Sequence, residues 1–151
     1  MKTLVVDASV GVKWQLDDEE HVDKAEAIKG AFVRRALTLM VPVIFAVEWA
    51  NALNVAIVRG RFPAEAWPEA LEDLDALQLS VGNPPGLLFE AWQMARLYGR
   101  TVYDGLYLAL AKIEHCEMVT GDRKLFNAVS PHLDWVRWIG DYVVEDTEDS
   151  A

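Results

Sequence analysis

The chain has 151 residues, 52% of them hydrophobic and 25% charged, with a formal net charge of −10 and a single cysteine, Cys116. This is enough for one domain with a sizeable core, and the composition excludes a disordered polymer. One cysteine excludes an internal disulfide or a multi-cysteine metal centre, and the acidic balance argues against broad, nonspecific nucleic-acid binding.

Leu4-Val5-Val6 is a β-branched run followed at once by Asp7-Ala8-Ser9. Three consecutive apolar residues predict a strand covered on both faces, as in a parallel sheet. A short helix is expected over Ser9 to Trp14, before the acidic run Asp17-Asp18-Glu19-Glu20. Ala25, Ile28, Phe32 and Ala36 recur at helical spacing, which predicts a helix from about His21 to Arg35. Leu37 to Val41 reads as a second strand. Pro42 is placed to open a helix that passes Glu48 and Asn51 and stops near Gly60. Further helices are expected over Ala64 to Leu77, Leu87 to Leu97 and Tyr103 to Glu114, with a short strand at Leu79 to Val81. Glu117 to Thr120 is a strand ending at Gly121-Asp122, Lys124 to Val129 a short helix, and Trp135 to Trp138 a last strand. This alternation predicts an α/β fold with a mostly parallel sheet and helices on both faces.

Asp141, Glu145, Asp146, Glu148 and Asp149 lie in the last eleven residues, which hold no Lys or Arg. They give a domain at 1–140 followed by an acidic, solvated tail at 141–151. No secretory signal is visible, and the longest greasy stretch, Ala36 to Val47, is short for a bilayer and contains Pro42. The expected compartment is the cytoplasm, without a membrane.

Two strand ends carry an aspartate, Asp7 and Asp122. Glu48 sits among bulky apolar residues on its helix, with Asn51 on the same face, and Asp104 opens the most apolar helix. Each has a structural alternative. Asp7, Ser9 or Asp122 could cap a helix, Thr101 to Asp104 resembles a capping box, and a salt bridge could accommodate Glu48. Crowded together, the four carboxylates repel one another and call for a cation. Oxygen ligands without Cys or clustered His favour magnesium or manganese over zinc. The matching reaction is metal-assisted phosphodiester hydrolysis. Lys13, Arg123 and Lys124 are candidate phosphate contacts near the rim. Arg34, Arg35, Arg59, Arg61, Arg96 and Arg100 read as helix-end charges. The six tryptophans read mainly as packing residues, with Trp14 close enough to the first motif to suggest a contact.

Four motifs in order, Leu4-Val5-Val6-Asp7-Ala8-Ser9-Val10, Glu48-Trp49-Ala50-Asn51-Ala52-Leu53, Tyr103-Asp104-Gly105-Leu106-Tyr107-Leu108-Ala109-Leu110-Ala111 and Val119-Thr120-Gly121-Asp122-Arg123-Lys124-Leu125, resemble the PIN domain. More narrowly they resemble the VapC-like toxins of toxin–antitoxin pairs. The resemblance implies a three-layer α/β/α sandwich and a Mg2+- or Mn2+-dependent ribonuclease. It assigns Asp7, Glu48, Asp104 and Asp122 to the acidic metal site, and Ser9, Asn51 and Thr120 to supporting positions. It also implies an RNA substrate, a homodimer and a cognate antitoxin. Gly105 stands where alanine is common, and the acidic tail has no counterpart in the family pattern. Two rival readings fit the sequence less well. A phosphotransfer receiver lacks its acidic pair and its lysine here, and an inert PIN-like scaffold binding protein or RNA would not need all four acids.

Overall fold

The computed structural model describes residues 1–145, so the tail beyond Glu145 lies outside the described residues. Among the described residues five strands form one all-parallel sheet: β1 (Lys2–Val6), β2 (Leu37–Val41), β3 (Ser80–Val81), β4 (Glu117–Thr120) and β5 (Val136–Trp138). Their spatial order is β3-β2-β1-β4-β5. β1 is central, pairing Val5 with Met40 on one side and with Met118 on the other. Leu4, Val5 and Val6 are wholly buried. Side chains of this kind each stabilise the fold by about 1.5–3 kcal/mol relative to exposure.

Among the described residues seven α-helices connect the strands: α1 (Ala8–Gly11), α2 (Val22–Val33), α3 (Phe45–Val58), α4 (Trp67–Leu77), α5 (Leu87–Tyr98), α6 (Val102–Ile113) and α7 (Arg123–Val129). The right-handed rule for parallel crossovers places α1 to α4 on one face and α5 to α7 on the other. Side-chain contacts agree with that division. Trp49 Nε1 donates to Gly11 O at 3.1 Å, Trp14 packs on Phe45, and Trp49 packs on Trp67, all among α1 to α4 and their links. The three-layer α/β/α arrangement expected from the motifs is the one observed.

Element edges differ from the sequence expectation for local reasons. The helix expected at Ser9 to Trp14 is α1 followed by a 3-10 turn at Val12–Trp14. α2 begins after His21, whose φ of 61° is left-handed, and ends before Arg35, whose φ is 63°. Pro42 does not open α3. Its carbonyl accepts from Phe45 N at 3.0 Å in a turn, and the first regular helical bond is Glu48 N to Ile44 O. Trp14 is buried and donates its indole N–H to Ala25 O at 3.0 Å, so it is a core residue. Tyr142 also packs into the core and its carbonyl accepts from Lys24, which ties residues just past 140 to the domain. Among the described residues no helix is long and apolar enough to cross a membrane.

Gly105 has a steric reason. A Cβ there would lie 2.2 Å from Ala91 O, so α5 and α6 pack backbone to side at a point where even alanine does not fit. That contact fixes the first turn of α6, which carries Asp104.

Candidate active site

β1 and β4 are neighbours with their carboxyl ends together, and the chain order reverses at this point of the sheet. In open parallel sheets such a switch point forms a ligand crevice. Here the crevice is a cavity of about 470 Å³ whose lining includes Asp7, Ser9, Glu48, Asn51, Asp104, Tyr107 and Asp122. The strands deliver Asp7 and Asp122, α3 delivers Glu48 and Asn51, and α6 delivers Asp104 and Tyr107.

Asp7 is 6% exposed, and its side chain does not cap α1. Ser9 Oγ donates to one of its oxygens, and Thr120 Oγ1 donates to the other at 2.5 Å. The same hydroxyls reach across to the β4 loop: Gly121 N donates to Ser9 Oγ at 2.7 Å, and Asp122 N to Thr120 Oγ1 at 3.0 Å. Two hydroxyls thus lock the ends of β1 and β4 into one unit around Asp7. Burial pushes the Asp7 carboxyl up to about 6; the hydrogen bonds from Ser9 and Thr120 oppose the shift, and the charges of Asp122 and Asp104 add to it.

Each of the other three acids has one oxygen held by the protein. Tyr107 Oη donates to Glu48 Oε1 at 2.6 Å, Arg100 pairs with Asp104 Oδ2 at 3.2 Å, and Leu125 N donates to Asp122 Oδ1 at 3.2 Å. Asp122 therefore does cap α7, as its position allowed. Thr101 Oγ1 accepts from Asp104 N at 3.0 Å, giving half of the anticipated capping box, while the Asp104 carboxylate turns to Arg100. Among the described residues Glu48 Oε2, Asp104 Oδ1 and Asp122 Oδ2 make no hydrogen bond to protein. Burial raises the Glu48 and Asp104 carboxyls; Tyr107 and Arg100 respectively oppose the shift, and the neighbouring Asp104 and Asp122 charges add to it.

This donor set suits a hard divalent cation: it is all oxygen, mutually repelling, and carries uncommitted oxygens. Among the described residues, though, no three acidic, His or Cys side chains converge tightly enough to form a finished ion cage. The acids share the crevice with each turned onto its own partner.

The remaining expected residues distribute unevenly. Ser9 and Thr120 support Asp7, and Asn51 lines the crevice. Lys13, expected at the rim, is 5% exposed, with its ammonium 3.4 Å from Glu19 and its stem beneath Gly121. A buried, paired ammonium is not displayed to a phosphate. Arg123 stacks its guanidinium 3.7 Å from the Trp138 ring centroid. Two residues that hold the crevice acids, Tyr107 in its lining and Arg100 against Asp104, were missed by sequence reasoning. Tyr107 sits inside an apolar run and reads as core, although it lies three residues past Asp104 on the same face. Arg100 reads as a helix end, although its i, i+4 spacing to Asp104 is a recognised ion-pair spacing.

A family model for the PIN domain matches residues 4–130. The crystal structure of PAE2754 from Pyrobaculum aerophilum is similar over 92% of each chain, with a TM-score of 0.65 and 24% sequence identity. At that identity the likeness concerns the fold. No curated protein matches the chain.

Proposed function

The chain belongs to the PIN-domain family, and on that premise we propose that it is a Mg2+- or Mn2+-dependent endoribonuclease, the toxin of a toxin–antitoxin pair. PIN domains are in general nucleases that use divalent metal ions, which gives the coarse activity. The observation that carries the finer reading is the gathering of Asp7, Glu48, Asp104 and Asp122 from four separate elements into one crevice at the sheet's switch point.

Asp7, Asp104 and Asp122 are the carboxylates that would hold the ion, with Glu48 completing the set. A bound divalent ion would supply charge neutralisation and Lewis acidity at the scissile phosphate. The protein's own part is positional. Ser9 and Thr120 orient Asp7, Tyr107 fixes one oxygen of Glu48, and the oxygen left over is suited to accept a proton from the attacking water. Water adds at phosphorus, the bond to the leaving 3′ oxygen breaks, and the products carry a 5′-phosphate and a 3′-hydroxyl. No Ser-His-Asp relay is involved, and none of His21, His115 and His132 lines the crevice.

The toxin assignment rests on the four-motif resemblance. It brings with it an RNA substrate, a cognate antitoxin and a homodimer. Leu88, Phe89, Trp92 and Leu97 of α5 are at least half exposed and offer apolar surface for such association. The test is cleavage of RNA by purified wild type and Asp7→Asn in added Mg2+ or Mn2+. The expected result is a loss of about a thousandfold, equivalent to about 4 kcal/mol in the barrier, with the fold retained. Equal cleavage by the two proteins would overturn the assignment of the reaction to this site, whereas a wild type that neither cuts RNA nor binds the added ion would favour the inert scaffold.

A further inference from the structure

Four carboxylates face the crevice, and among the described residues only one basic side chain, Arg100, forms an ion pair with any of them. Its contact is longer than those of the other two ion-paired arginines among the described residues. Arg61 grips Asp18 with two nitrogens at 2.8 and 2.9 Å and Glu19 at 2.7 Å. Arg137 holds Glu117 at 2.8 Å. Arg100 instead directs both Nε and Nη2 at a single oxygen, Asp104 Oδ2, at 3.2 Å each. That is a long, one-oxygen contact, not the two-oxygen fork that makes arginine–carboxylate pairs strong. The side chain is 22% exposed, so its outer end is reached by water. Its backbone is fixed, with Arg100 N donating to Ala95 O at 2.9 Å just past α5. The arrangement is a fixed backbone with a guanidinium held by one long contact.

Two needs meet at this guanidinium. A vacant cleft of acids gains from one cation held close by. Once a divalent ion shares the Asp104 charge, a second cation on the same carboxylate is repelled, while the arriving RNA presents a phosphate that guanidinium geometry suits. We infer that Arg100 serves two anions in turn: it neutralises Asp104 in the vacant cleft and transfers to an RNA phosphate when the ion is bound. The inference rests on the reading of the crevice as a cation site acting on RNA. It makes Arg100 a substrate-binding residue and, through Asp104, a brake on metal affinity.

One substitution should therefore move two affinities in opposite directions, which a purely structural role would not do. Mn2+ alone is titrated calorimetrically into the full-length wild type, Arg100→Gln and Arg100→Lys, with Asp7→Asn as the blank. KM is then measured at saturating Mn2+ on a labelled, mixed-sequence, single-stranded RNA oligonucleotide. Arg100→Gln should bind Mn2+ about three- to tenfold more tightly and show a KM raised about fivefold or more. Arg100→Lys, which keeps the charge without the fork, should fall between it and wild type on both readouts. If wild type binds Mn2+ and cuts RNA but Arg100→Gln leaves Mn2+ affinity unchanged or weaker, or leaves KM unchanged, the inference is overturned alone. If wild type neither binds Mn2+ nor cuts RNA, the site reading fails and takes the inference with it.

Discussion

At the N-terminal end of β4, Glu117 lies between two cations, Lys2 Nζ at 2.9 Å and Arg137 Nη1 at 2.8 Å. At the C-terminal end of the neighbouring β1, Asp7 has hydroxyl donors and other acids around it, and among the described residues no cation pairs with it. Burial pushes both carboxyls upward. At Glu117 the hydrogen bonds and charges of Lys2 and Arg137 outweigh burial and hold the carboxyl below its usual range. At Asp7 burial prevails, and the carboxyl rises to about 6. One end of the sheet uses charge to stabilise the fold. The other holds charge that the fold leaves unbalanced, and such unbalanced charge is where a ligand gains most by binding.

The cleft end can be disturbed most strongly at a residue with no charge at all. Gly105→Ala places a methyl group against Ala91 O, and backbone yields less readily than a side chain. A loss of about 2–3 kcal/mol in unfolding free energy is expected, read by chemical denaturation. A change near zero would mean that α5 and α6 can separate freely and that the first turn of α6 is not fixed by this contact.

Relieving the charge at the cleft should act in the opposite direction. Asp7→Asn removes a buried charge while keeping the shape, and should stabilise the metal-free protein at neutral pH by about 1–3 kcal/mol. The sign follows from the raised carboxyl. The gap should be small below about pH 4, open as the pH rises toward 6 because the unfolded carboxyl ionises there while the folded one keeps its proton, and stay level above 6. Denaturation of both proteins across pH 4 to 8 checks this, and a gap that widens toward acid contradicts it.

At the other end of the sheet the effect is smaller and of normal sign. Glu117→Gln weakens the pairs with Lys2 and Arg137, which are partly exposed, and should cost about 0.5–1 kcal/mol, shrinking in high salt. RNA cleavage should not change. A variant as damaging there as at Gly105 would erase the contrast between the two ends.

The cleft half of this contrast was legible in the sequence, and the pairing of Glu117 with Lys2 and Arg137 was not. Three buried residues ending at Asp7, an acid at a second strand end and an out-of-place Glu48 were enough to place a parallel sheet and its acidic rim. The hydroxyl lock was partly visible, since Ser9 and Thr120 stand at motif positions, but its reach between β1 and β4 depends on strand order. Periodicity says which face a residue occupies and not which partner its end group finds. Lys13 illustrates the limit, because a long side chain at a polar position turned inward to Glu19. Tyr107 illustrates it in reverse: its ring is core, and only its hydroxyl belongs to the crevice. Gly105 stands out as a departure from the family pattern, and its cause, the Ala91 carbonyl, is a tertiary contact that sequence spacing does not encode.

On the proposed function, the charge left unbalanced at Asp7, Glu48, Asp104 and Asp122 would hold a divalent ion for RNA cleavage. Metal withdrawal from the wild-type protein tests it most directly, by following RNA cleavage in excess chelator and then with Mn2+ or Mg2+ restored. No cleavage is expected in chelator, with recovery on adding either ion and a rise in melting temperature that Asp7→Asn does not share. Cleavage that continues unchanged in chelator would contradict it.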